Sequence, residues 1–162
     1  MTQFSVKFGD ILSIDHGIIV HGCNSHGVMG SGLAAQIKAR YPQCFLQYAD
    51  YCDRWRTRKN SAKSILGDVV VYQHSADIII MNAITQEDFG RSGKKYVDYH
   101  AIANSFANIL RITSEIYKYH IVNYPLIGAG LGGGEWSIIS EILNSEFSKY
   151  PEISRALWLL DK

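Results

Sequence analysis

His21, Asn24 and His26 sit close together in one glycine-rich segment, His21-Gly22-Cys23-Asn24-Ser25-His26-Gly27-Val28-Met29-Gly30-Ser31-Gly32. An imidazole there can donate a proton to a phosphoryl or glycosidic leaving oxygen, and an amide can fix a ribose hydroxyl or a water. The alternative is a half-buried His21 bonded to backbone, with His26 simply exposed. A second glycine-rich segment, Pro125-Leu126-Ile127-Gly128-Ala129-Gly130-Leu131-Gly132-Gly133-Gly134, offers almost no side-chain chemistry but many backbone N–H groups. Glycine lets those groups turn toward a ligand, and a helix beginning just beyond adds favourable potential for an anion. Together the segments hold nine of the fourteen glycines. Paired loops of this kind suit a diphosphate.

Other motifs fail on context. Gly128, Gly130 and Gly133 match the dinucleotide fingerprint, yet they lie near the C-terminal end, without the further strands that fingerprint normally opens. Cys52 and Arg58 are spaced like the nucleophile and arginine of cysteine phosphatases, but the residues between them include no glycine and Cys52 falls on an apolar helical stripe. It reads as a core cysteine. Neither glycine loop is followed by a Walker lysine. His16, His74, His100 and His120 are scattered without metal-ligand spacing, so no metal and no cofactor are expected. Asp10 follows the first strand at the same sheet edge as the loops, where it can accept a bond from an exocyclic amine or cap a turn.

These residues need elements to hold them. Phe4, Val6 and Phe8 alternate with polar neighbours, the pattern of a strand with one face buried. A second strand, from Gly17 to His21, runs into the first glycine loop. Leu33, Ile37 and Tyr41 mark a helix stopped at Pro42, and Phe45, Tyr48, Cys52 and Trp55 a second one. Ile65 to Tyr72 and Asp77 to Asn82 read as strands, and residues 85–96 as a polar loop. Ile102, Phe106, Ile109 and Ile116 recur at helical spacing. Ile121 to Tyr124 feeds the second glycine loop, Trp136, Ile139, Leu143 and Phe147 mark the last helix, and Ala156 to Leu160 the last strand. Strands alternating with helices imply a three-layer α/β/α sandwich around a mostly parallel mixed sheet. Ligands then sit beyond the carboxyl ends of the strands, where both glycine loops fall.

With 162 residues, 47% hydrophobic and 19% charged, the chain is expected to form one domain over 1–162. A formal net charge of +1 provides no global attraction to nucleic acid or membrane. The run Arg54, Arg56, Arg58, Lys59 and Lys63 reads as a solvated surface. Three cysteines at unrelated spacings, no apolar span of membrane length and a polar start point to a cytoplasmic protein. A monomer is expected.

Glycine-aspartate after the first strand, an asparagine-bearing glycine loop after the second and Gly-x-Gly-Leu after the penultimate strand resemble the macro domain, an ADP-ribose-binding module. The resemblance spans nearly the whole chain. By it, Asp10 would bond the adenine amine with Ile11 backbone beside it, and Trp158 or Leu160 would line the adenine cleft. Asn24 and Gly30-Ser31-Gly32 would surround the distal ribose, and Gly128-Ala129-Gly130-Leu131-Gly132 would wrap the diphosphate. His21-Gly22-Cys23-Asn24, continuing through Met29 to Ala34 and Arg40-Tyr41-Pro42, looks most like the ADP-ribose-1″-phosphate phosphatase branch. That branch implies phosphate monoester hydrolysis, with His21 protonating the leaving oxygen and Asn24 orienting ribose or water. One de-ADP-ribosylating branch has a lysine and an aspartate where this chain has Gln86 and Gly132. Another has an aspartate and a histidine where Ser31 and Leu33 stand. Hydrolysis of ADP-ribosylated protein or nucleic acid, or binding without catalysis, is the alternative, nucleic acid entering only as a carrier of ADP-ribose. From its length and polarity alone, the loop from Gln86 to Lys95 either covers the cleft, with Arg91, Lys94 or Lys95 near a terminal phosphate, or is a solvated loop.

Overall fold

Ile18 to Val20 and Ile78 to Met81 are apolar at every position because both faces of their strands are covered. The computed structural model describes residues 4–58, 65–90, 95–130 and 132–160. Its elements, in chain order, are β1 (Phe4–Phe8), a single 3-10 turn (Ile11–Ser13), β2 (Gly17–Asn24), α1 (Gly32–Arg40), α2 (Pro42–Arg58), β3 (Val69–Gln73), β4 (Ile78–Gln86), α3 (Tyr99–Ile116), β5 (Val122–Tyr124), α4 (Trp136–Ser148) and β6 (Arg155–Leu159). The sheet order is β1-β6-β5-β2-β4-β3, with β3 antiparallel to β4 and every other pairing parallel. This is the expected mostly parallel mixed sheet.

Side-chain alternation divides the core in two. Ile18, Val20, Ile79, Met81 and Ala83 pack with Ile102, Phe106 and Ile109 of α3 and Ile139, Leu143 and Phe147 of α4. Ile19, Cys23, Ile80 and Ile84 face the other way, onto Ile37 of α1 and Cys44, Tyr48 and Cys52 of α2. Helices on both faces complete the three-layer sandwich. Asp98 starts α3 by accepting the Ala101 N–H at 2.9 Å, as an N-cap aspartate does.

The structure corrects several expectations. Phe4, Val6 and Phe8 are 55%, 49% and 48% exposed rather than forming a buried face. β1 is an edge strand paired only with β6, and the Arg155 guanidinium lies over the Phe4 ring at 4.3 Å. Pro42 begins α2 as well as ending α1, because proline's missing N–H costs nothing in a first helical turn. Ile116 is exposed, and Leu110 and Thr113 continue the buried stripe of α3. Ile65 lies in a turn before β3, and β4 runs on through Thr85 and Gln86, into the segment expected to be loop. Lys59, Lys63, Arg91, Lys94 and Leu131 lie outside the described residues.

Candidate functional site

β2 and β5 are neighbours at the centre of the sheet, so the glycine loops that follow them face each other beyond the strands' carboxyl ends. Between them lies a cleft of about 700 Å³. Its walls include Gly22, Asn24, Gly30, Ser31 and Gly32 on one side and Gly128, Ala129, Gly130 and Gly132 on the other. Thr85 and Gln86 at the end of β4 also line it, and Trp158, Leu159 and Leu160 line it at the end of β6. The order β6-β5-β2-β4 therefore sets an apolar, aromatic end against a polar one, with the glycine loops between.

Two glycines show why the loops need that residue. Gly128 has φ +77°, and a Cβ there would stand 2.9 Å from Val97 Cγ2 and 3.0 Å from Ile102 Cδ1. At Gly22 a Cβ would meet Thr85 Oγ1 at 2.9 Å and fill the space over the sheet end. The second loop is closed by the Gly134 N–H donating to the Gly128 carbonyl at 2.8 Å. Tyr96 and Val97 N–H groups donate to the Gly132 carbonyl at 2.7 and 3.0 Å, tying it to the segment before α3. Leading into α1, Ser31 has extended backbone and its hydroxyl makes no cap bond to the first N–H groups of the helix.

Asn24 holds its own loop. It stays in the ladder opposite Gln86, past a register shift that leaves Thr85 as the extra residue on β4. Its Oδ1 accepts from the N–H of His26 at 2.9 Å and of Val28 at 3.3 Å, and its Nδ2 donates to the Val28 carbonyl at 2.8 Å. The Tyr48 hydroxyl of α2 donates to the same residue. Asn24 thus shapes the cleft, with a second amide N–H to offer. Ser25 Oγ donates to the Glu87 carbonyl at 2.9 Å and joins this loop to the chain after β4.

His21 lines the cleft at the end of β2. It is paired in register with Asn82, and both turn toward α2. Asn82 Nδ2 donates to the Val70 carbonyl at 3.0 Å, which orients its Oδ1 toward His21 Nε2 at 2.6 Å, so that nitrogen carries the proton. Burial lowers the imidazole pKa to about 4 against the opposing pull of the Asn82 bond. At neutral pH His21 is an uncharged structural donor, without the second proton that leaving-group protonation requires.

The cysteines are inert for a related reason. Cys23, Cys44 and Cys52 are buried, and burial pushes all three thiols up, Cys44 and Cys52 to about 11. Cys52 is the core residue expected, on the inner stripe of α2. In the basic run, Arg54 pairs with Asp50 at 3.2 Å and Arg56 with His26 at 2.7 Å. Lys95 stands over the Tyr99 ring at 4.4 Å. His16 and His120, read as unorganised, stack at 4.9 Å at the opposite end of the sheet.

Asp10 and Ile11 lie beside the apolar end without lining it. Gly9 N–H donates to the Leu159 carbonyl at 2.8 Å, which places them next to β6. One Asp10 oxygen accepts the Leu12 N–H at 2.9 Å and caps the 3-10 turn, while Ile11 is buried beneath. Trp158, held by its Nε1–H bond to Asn123 Oδ1 at 2.8 Å, and Leu160 form the wall there.

Thr85 is the residue missed in the sequence. Its hydroxyl is buried on the cleft floor and has no partner among the described residues. Such an orphan costs about 1–3 kcal/mol of desolvation, recovered when a ligand supplies the bond. The signal was available: a hydroxyl at the carboxyl end of an otherwise apolar central strand. Gln86, next to it, faces Gly132 across the cleft, since a Cβ at Gly132 would stand 3.2 Å from Gln86 Oε1.

Residues 20–143 match the family model of the macro domain. The ADP-ribose 1″-phosphate phosphatase of Candida albicans is 28% identical over 143 residues, which is 82% of this chain and 86% of that protein. A DNA ADP-ribosyl glycohydrolase of Mycobacterium bovis is 29% identical over 154 residues, 93% of this chain, and the match spans 40% of that relative's length. Among solved structures, the macrodomain of Mycobacterium tuberculosis DarG superposes with a TM-score of 0.81 at 25% identity, over 98% of both chains. Six strands in this order, with the cleft between the two glycine loops, complete the likeness, and the chain belongs to the macro domain family.

Proposed function

We propose that the cleft binds ADP-ribose and that the protein hydrolyses the 1″-phosphate ester of ADP-ribose-1″-phosphate. The observation that carries the reading is the polarity of the cleft: an aromatic end at Trp158 and Leu160, N–H-rich glycine loops in the middle, and Asn24, Thr85 and Gln86 at the far end. A purine suits the first, a diphosphate the second and a sugar bearing hydroxyls the third. The similarity to the Candida phosphatase, extending over most of both chains, supports the phosphate ester as substrate.

In this reaction water adds to phosphorus, the bond from phosphorus to O1″ breaks, and O1″ takes up the proton that the attacking water gives up, leaving ADP-ribose and inorganic phosphate. Loop N–H groups stabilise charge on the phosphoryl oxygens, and Asn24 orients the ribose or the water. With His21 neutral and the thiols protonated, the chain supplies positioning and hydrogen bonds rather than a covalent nucleophile.

Removal of ADP-ribose from a macromolecule is the second reading, supported by the mycobacterial relative. Gln86 facing Gly132 offers neither an amine nor a carboxylate for that step. Phosphate release from ADP-ribose-1″-phosphate by wild type and Asn24→Ala, with ADP-ribose binding measured on the same samples, tests the proposal. The expected result is catalytic release reduced at least about tenfold in the variant. Binding of ADP-ribose without phosphate release would leave the second reading or a binding module.

A further inference from the structure

The helical layer that buries β6 stops short of β1. Leu157 of β6 is buried against the core of α3 and α4, yet Val6, its partner in register on β1, is 49% exposed. Phe4 and Phe8, two residues to either side of Val6, point to the same face of the sheet and are equally open. The Arg155 guanidinium lies over the rings of both Phe4 and Phe147, at 4.3 and 4.4 Å, and marks the margin between the covered and the uncovered face.

The backbone of the same edge is open as well. Gly9 N–H donates to the Leu159 carbonyl at 2.8 Å, and along a strand the backbone groups of successive residues point to opposite neighbours. Ser5, Lys7 and Gly9 therefore face β6, while Phe4 and Val6 turn their N–H and C=O groups away from it, where no described residue meets them. An edge with free backbone groups and an apolar row is a template for another strand. The five residues of β1 also suit a copy of themselves. About a twofold axis at Val6, an antiparallel copy sets Val6 against Val6 and Phe4 against Phe8. On the opposite face Lys7 meets Ser5, so no like charges stand directly opposed.

We propose that, in place of the expected monomer, β1 pairs antiparallel with β1 of a second copy of this chain about a twofold axis at Val6, joining the two sheets edge to edge. Val6 then exchanges both backbone bonds with its own counterpart, and the apolar rows of the two copies merge into one surface. The half-open rings of Phe4 and Phe8 leave about 100 Å² each, so about 250–300 Å² of apolar side chain is available on each copy. A stable interface takes about 800 Å² from each partner, so the dimer is weak, with a dissociation constant of about 10–500 μM. Pairing at this edge is independent of what the cleft binds.

Sedimentation velocity of the wild-type chain from about 10 μM to about 1 mM reads the association, and variants at the axis fix its geometry. Val6→Pro removes an N–H that β6 does not use, so the ladder to β6 is kept while the bond to the partner is lost. Val6→Lys sets two cations together at the axis, and Val6→Glu two carboxylates. Wild type is expected to pass from monomer to dimer over this range, and each variant alone to dimerise at least about tenfold more weakly. An equimolar mixture of Val6→Lys and Val6→Glu is expected to recover dimer to within about threefold of wild type, because charges match in this way only where a residue meets its own counterpart. Amide hydrogen exchange needs no variant: in wild type the Val6 N–H should exchange at least about twofold more slowly at about 1 mM than at about 10 μM. A wild type that stays monomeric throughout overturns the proposal. So does association that leaves the Val6 amide unprotected, that the variants do not weaken, or that the mixture of folded charged variants does not restore, since the contact then lies on another face.

Discussion

Thr85 separates what the fold needs from what the ligand needs. Its hydroxyl is buried and unpartnered, so Thr85→Val removes an uncompensated polar group without changing the packed shape. Stability to urea is expected to hold or rise by up to about 1 kcal/mol, while ADP-ribose affinity falls about three- to tenfold. A parallel loss of stability and binding would place the hydroxyl in the core instead. His21 makes the opposite prediction. Its folded pKa of about 4 lies below the ordinary 6.5, so between those values the unfolded chain binds more protons and stability rises with pH. Above pH 6.5 the imidazole is neutral in both states and adds no slope. As pH falls toward 4, about 3 kcal/mol is lost through this group. Urea denaturation between pH 4.5 and 7.5 should give a flatter pH profile for His21→Gln than for wild type. Equal slopes would contradict the buried, neutral imidazole.

Among the elements, the central strands were legible because burial on both faces leaves an uninterrupted apolar signature, as in Ile78 to Met81. The helices were legible through residues such as Ile139, Leu143 and Phe147, which do face the core. β1 was misread because Phe4, Val6 and Phe8 alternate whether or not a layer covers them, and its place at the sheet edge is a property of topology. The end of β4 was missed for a similar reason: Thr85 and Gln86 are polar, yet the strand runs on past the extra residue Thr85 to pair Gln86 with Asn24 of β2. Both glycine loops were placed correctly, because strand, glycine run and helix follow in sequence. The roles of His21 and Asp10 depend on which face a side chain takes and which N–H lies next to it, and spacing does not encode that. The second loop carries its own prediction. Gly128→Ala combines a positive φ with a clash against Val97, and is expected to cost about 1–3 kcal/mol in chemical denaturation. A cost below about 0.5 kcal/mol would show that the loop relaxes freely.

For the molecule as a whole, a net charge of +1 leaves anion recognition to local geometry. The sheet order supplies that geometry, with an aromatic end, two glycine loops and a polar end along one cleft. On the proposed reading it also distinguishes ADP-ribose from its fragments, because the distal ribose would be the part that reaches Asn24, Thr85 and Gln86. The most direct measurement is a calorimetric titration of the wild-type protein with ADP-ribose and, in a second cell, with ADP. The predicted result is saturable one-to-one binding of ADP-ribose, with ADP at least about tenfold weaker, equivalent to about 1.4 kcal/mol for the distal ribose. No binding of ADP-ribose, or equal affinity for ADP, would contradict the assignment of this cleft.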